Sequence, residues 1–207
     1  TTTNASPIND SALLTYGLLT ATTRVLLPAG ADLPVLKAIR GAMFERLARS
    51  AKLTMTVQAR AILAELEDQS TPRGGLETAA RWAVTKFLPG GAVLDGLRSV
   101  LLTYGAGAMF QRYLVAHRGA GDPVLAVAEA ERVRQALRAS IEVLHVEQFR
   151  AMTRIVVDSA RELSRNEQAS VVERYANALV SGAVSLPMAW IHVLDEQFSK
   201  ALSKQSA

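Results

Sequence analysis

Cysteine is absent from the 207 residues, which removes a disulfide framework, a thiolate nucleophile and any Cys-ligated zinc from consideration. Aromatic residues make up only 5% of the chain and do not alternate with arginine, which argues against the stacking platform of an RNA or single-stranded DNA binder. Trp82, Trp190, Phe87, Phe149 and Phe198 read instead as core anchors. Long hydrophobic runs are also missing: Asp95, Arg98 and Arg112 interrupt the most apolar region, so no segment of about 18 uncharged apolar residues is available to span a bilayer. The opening "TTTNASPIND" lacks the charged start and apolar stretch of a secretory signal, and a cytoplasmic location is the expectation.

Catalytic patterns are equally scarce. There is no Gly-x-x-x-x-Gly-Lys-Ser/Thr loop, no Gly-x-Ser-x-Gly elbow and no His-Glu-x-x-His. The glycines of "GGAVLDG" and "GAGAMF" sit in helix-like sequence, without the strand, turn and helix that let a glycine loop cradle phosphate. Glu142 and His145 have the Glu-x-x-His spacing that places two ligands on one helix face. A di-metal bundle needs a second such pair and two further carboxylates, and His192 with Glu196 has the wrong spacing, so they remain weak metal candidates. The expectation is a protein that is not an enzyme and needs no cofactor.

What the chain has in quantity is alanine and leucine, with apolar positions recurring every three or four residues. This predicts an all-α fold, a bundle of seven to eight helices. The first runs from Asp10 or Ser11 to about Leu26 and stops before Pro28. Asp32 caps the second, whose first turn tolerates Pro34. A third is expected over about 56–68, a turn at "TPRGG", a fourth helix up to Leu88, and a glycine-bearing helix over about 91–117. "HRGAGDP" at 117–123 divides the chain into a helical domain over 1–119 and a C-terminal half over 120–207, which the same bundle can accommodate. A long helix follows Asp122-Pro123, with apolar positions at Val133, Leu137, Ile141, Leu144, Met152, Ile155, Val156 and Leu163. At about 60 Å it exceeds a small domain's width, so it either breaks or pairs with another helix, which allows a homo-oligomer. A further helix is expected over about 167–184, and Pro187 begins the last.

Two segments rhyme. "LLPAGADLPVLKAIRGAMFERLAR" and "FLPGGAVLDGLRSVLLTYGAGAMFQRYL" align Met43 with Met109, Phe44 with Phe110 and Arg46 with Arg112. On a helical wheel Ala92, Gly96, Ser99, Thr103 and Gly107 share a narrow face of small side chains, which lets a neighbouring helix approach closely. That neighbour is either another part of this chain or a partner. The same projection sets Arg46 among Val35, Ile39 and Met43, and Arg112 at the edge of the Leu94 and Leu101 sector. A guanidinium there pairs, with Asp32 or Asp95 as internal candidates, snorkels, or meets a ligand. Arg46, Arg112, Gly96, Thr103 and Gly107 are therefore the candidate partner-binding residues.

The charge of +4 is uneven: residues 1–119 hold 13 basic against 8 acidic side chains, and 120–207 hold 10 against 11. The basic half suits an acidic partner such as an anionic membrane surface. Lys37, Arg40, Arg46 and Arg49, however, spread around the wheel and form no single basic stripe.

The rhyming segments resemble the YcjF-type domain of unknown function that commonly follows a small GTPase domain. The resemblance covers about residues 24–116. It lies in Asp32, Leu33, Met43, Leu47 and Ala48, then in Lys86, Phe87, Leu88, Pro89, Gly91, Thr103, Tyr104 and Gly107. Two departures stand out: the Tyr-Gly that often closes the first unit is replaced by "SAKL", and the chain contains no GTPase domain. The resemblance implies a non-catalytic helical module tied to a small GTPase, sometimes at membranes. The function expected from the whole sequence is a non-catalytic interaction and assembly module. Its alternative is a peripheral inner-membrane protein whose glycine-rich helix enters lipid.

Overall fold

A computed structural model describes residues 10–27, 30–66, 89–117, 123–142 and 188–205. They form helices α1 (Asp10–Leu26), α2 (Asp32–Ser50), α3 (Val57–Ala64), α4 (Pro89–His117), α5 (Val127–Glu142) and α6 (Met188–Lys204), with two short strands, β1 (Thr54–Met55) and β2 (Val124–Leu125). The fold is thus mostly helical, with six helices among the described residues. The helices expected up to Leu88 and over 167–184, the "TPRGG" turn, and the long helix beyond Glu142 fall outside them.

The strands were not anticipated. β1 and β2 pair in parallel, Thr54 beside Val124 and Met55 beside Leu125, and the Thr54 N–H donates to the Pro123 carbonyl at 2.8 Å. Two residues are too few for an alternating pattern to register in sequence. The helix expected directly after Asp122-Pro123 therefore begins only at Val127.

The ladder extends the rhyme into architecture. α2, β1 and α3 form one helix, strand, helix unit; α4, β2 and α5 repeat it in the same order. The repeated phenylalanines meet edge to face, Phe44 against Phe110 with ring centroids 5.1 Å apart at 89°, a geometry that aligns ring edge with ring face. Tyr113 stacks on Phe110 and donates its hydroxyl to Glu129 Oε1 at 2.7 Å, tying α4 to α5. One buried cluster holds Met43, Phe44 and Leu47 with Met109, Phe110, Leu125, Val133 and Leu137. α6 adds Leu194 and Phe198 to it. Side chains from both sides of the "HRGAGDP" segment thus share one core.

Local chemistry sets the helix ends. Thr56 caps α3 by accepting the Ala59 N–H at 3.1 Å. Asp32 is the first residue of α2, not its side-chain cap: its carboxylate takes the Gly30 N–H at 2.9 Å and the Arg24 guanidinium. At the other end, Lys52 adopts φ 59°. The Leu53 N–H reaches the Ala48 carbonyl and the Lys52 N–H reaches Arg49, the two bonds of a Schellman stop. Lys52 thus occupies the left-handed position that glycine usually fills.

Candidate functional site

The small-residue face of α4 is the seat of α1. A Cβ on Gly107 would lie 2.7 Å from Leu13 Cδ2 and 3.0 Å from Met43 Sδ, and one on Gly17 would lie 3.1 Å from Val100 Cγ1 and 3.3 Å from its carbonyl oxygen. Both glycines permit a backbone approach that a larger side chain would block. Gly96, Ser99 and Thr103 are buried in the same helix. The face read in sequence as a contact surface is thus filled from within the chain.

A polar thread runs through this seam. Thr20 Oγ1 lies 2.7 Å from the Gly17 carbonyl and 3.2 Å from the Ser99 carbonyl, so its proton is directed to backbone oxygen. Thr103 then donates to Thr20 across 3.1 Å, because a hydroxyl has one proton to give. Arg40 Nε donates in turn to Thr103 Oγ1 at 3.2 Å. Arg40 is only 2% exposed and Thr103 is fully buried. Inside the core, where an unpaired donor costs most, the Thr20 and Thr103 hydroxyls serve their neighbours, while the Ser99 hydroxyl is buried without a partner among the described residues.

Arg46 does not lie where the wheel set it, whereas Arg112 keeps the edge position. Arg46 is exposed, not within an apolar sector, and Val35, assigned to that sector, is 39% exposed. The inner stripe of α2 is Asp32, Leu36, Arg40, Met43, Phe44 and Leu47, so the buried cation is Arg40. Asp32, offered as an internal partner, pairs with Arg24. Arg112 is half-exposed and pairs with Asp195 of α6. The signal that could have found Arg40 was its spacing from Leu36, Met43 and Leu47, one turn apart along a single stripe.

Around the seam the charges are paired between elements. Lys37 Nζ donates to Glu65 Oε1 at 2.7 Å, beside a small cavity lined by Leu33, Leu36, Arg40, Ala64 and Leu66. Glu45 accepts from Arg60 at 2.9 Å and from Arg49, and these two guanidiniums hold its carboxyl below the ordinary value.

No group of three or more potential metal ligands occurs among the described residues. Glu142 closes α5, His145 lies outside the described residues, and His192 and Glu196 are exposed on α6. Arg46 and Arg112, by contrast, reach the surface. The candidate partner-binding residues thus separate: Gly96, Thr103 and Gly107 line the inner seam, while Arg46 and Arg112 stand outside it.

No family model, curated protein or solved structure matches this chain.

Proposed function

We infer that the chain is a non-catalytic helical interaction and assembly module that works with a protein partner. A small GTPase is the partner class suggested by the resemblance of residues 24–116. The observation that carries this reading is the fate of the rhyming segments. Their glycines, methionines and phenylalanines pack against one another and against α1, with Phe44 on Phe110 and Met43 under Gly107. The conspicuous sequence features therefore build a scaffold, and recognition falls to what the scaffold displays.

Arg46 is the leading displayed contact: it is exposed and has no side-chain partner among the described residues. Arg112, held by Asp195, offers a second contact from α4. In the second half, Val133 and Leu137 of α5 are buried and brace the bundle, which supports an assembly role for that helix. A cytoplasmic chain acting peripherally at the inner membrane fits this reading.

The direct test is capture of purified small GTPases, loaded with GTP analogue or GDP, by the full chain. The account expects retention of one nucleotide state over the other, weakened in Arg46→Glu while the thermal melt is unchanged. Equal failure of both states to bind would remove the GTPase partner.

A further inference from the structure

We propose that the outer stripe of α2 seats an acidic amphipathic helix of the protein partner, in the way that α4 seats α6. The rhyme supplies the comparison. Residues 41–50 and 107–116, aligned on Gly-Ala-Met-Phe, match in burial at every position but one. The exception is Ala42, exposed where Ala108 is packed on the core. Farther back along the same stripes, Ala38 is exposed where Tyr104 is packed, and Val35 is 39% exposed where Leu101 is 4% exposed. Both stripes end on equivalent arginines, Arg46 and Arg112. The first stripe is open and the second is covered.

The cover on the second stripe shows what suits such a surface. Arg112 pairs with Asp195 of α6, and the cluster that Leu101, Tyr104 and Ala108 join also holds Ile191, Leu194 and Phe198 of that helix. Those three follow the i, i+3, i+7 spacing of one helix face, and Asp195 adjoins the middle one. α2 presents a surface of the same kind: aliphatic Val35, small Ala38 and Ala42, and a cation at the same end. The small side chains leave a groove in which the ridge of a second helix can lie.

Charge fixes the sign of the occupant. Residues 32–66 hold six basic and three acidic side chains. All three carboxylates are paired, Asp32 with Arg24, Glu45 with Arg49 and Arg60, and Glu65 with Lys37. Arg40 is turned inward to Thr103. Arg46 is exposed on the stripe, without a side-chain partner among the described residues. A carboxylate on the incoming helix gives it the partner that Asp195 gives Arg112. The inference rests on the protein partner proposed above and adds the form of its contact.

The probe is a labelled synthetic peptide of α6, Met188–Lys204, titrated into the full chain and followed by fluorescence anisotropy. It should bind, and Arg46→Glu and Ala42→Glu should each weaken binding about tenfold or more. Ala42→Glu acts by giving Arg46 a carboxylate one turn away. Both positions are exposed, so the circular-dichroism melt should stay in place. A peptide carrying Asp195→Lys should recover binding to Arg46→Glu. No binding, or binding that both variants retain, would overturn the proposal. Loss in Arg112→Glu but not in Arg46→Glu would also overturn it, because the peptide would then be exchanging with α6 in its own seat. A sedimenting dimer that Arg46→Glu dissolves would give the seat to a second copy and overturn the partner as its occupant. Capture of a GTPase is read separately. Arg46-dependent capture by a chain that ignores the peptide would remove the helix seat alone, whereas peptide binding without capture would remove the GTPase and keep the seat.

Discussion

Lys52 shows how one residue can depart from local preference and still be tolerated. A side chain at φ 59° meets the following carbonyl, at a cost of about 1–2 kcal/mol for a non-glycine residue. The Schellman bonds at the end of α2 hold it there. Lys52→Gly should therefore raise stability, by about 0.5–1 kcal/mol after the extra freedom of glycine in the unfolded chain is counted. A shift of the urea midpoint to higher concentration at constant slope would register it. Thr103 is the opposite case, a polar side chain whose surroundings fit it fully. Thr103→Val keeps the shape but leaves the buried Arg40 Nε and Thr20 short of a partner, and should cost about 1–3 kcal/mol in the same experiment. At this scale the sequence was only partly legible. Burial of a cation was foreseen in α2, but the wheel placed Arg46 inside and the fold placed Arg40 there. A stripe with arginine at its centre and leucine on either side looks, in sequence, like the solvent edge of a helix.

Among the elements, helices were easier to read than strands. The bounds of α1, Asp10–Leu26, follow from the apolar spacing that stops before Pro28, and α6 starts at Met188 just after Pro187. The ladder of β1 and β2 left no such trace, because its register is set by the packing of two repeated units and not by alternation within either strand. That packing yields its own prediction. Phe44 and Phe110 occupy equivalent places in the two units and touch directly, so Phe44→Leu and Phe110→Leu should be non-additive. A double-mutant cycle should return a coupling of about 0.5–1.5 kcal/mol. Additive losses would mean that each ring packs within its own unit. The glycine-bearing helix was legible as α4 and its small face as a contact, whereas the identity of the neighbour was not. Nothing in local sequence distinguishes α1 from a separate chain as the helix that covers Thr103 and Gly107.

For the whole molecule, the account divides an inner seam from an outer surface. The seam, built from the repeated segments and closed by α1, supplies rigidity; the surface, where Arg46 and Arg112 are displayed, supplies contacts. Mutations on the two sides should separate cleanly. Arg46→Glu should alter binding without altering the melt, since its side chain is exposed. Gly107 is the decisive inner position, because its face was open in sequence to either a helix of this chain or a partner and is packed here against Leu13 and Met43, both essentially inaccessible. The measurement that tests the division most directly is equilibrium unfolding of Gly107→Leu against the parent chain. The account predicts a loss of about 1–3 kcal/mol or more, as expected when a side chain is forced into a filled core. A native-like unfolding curve, with partner binding lost, would instead place Gly107 on an open docking face and contradict the account.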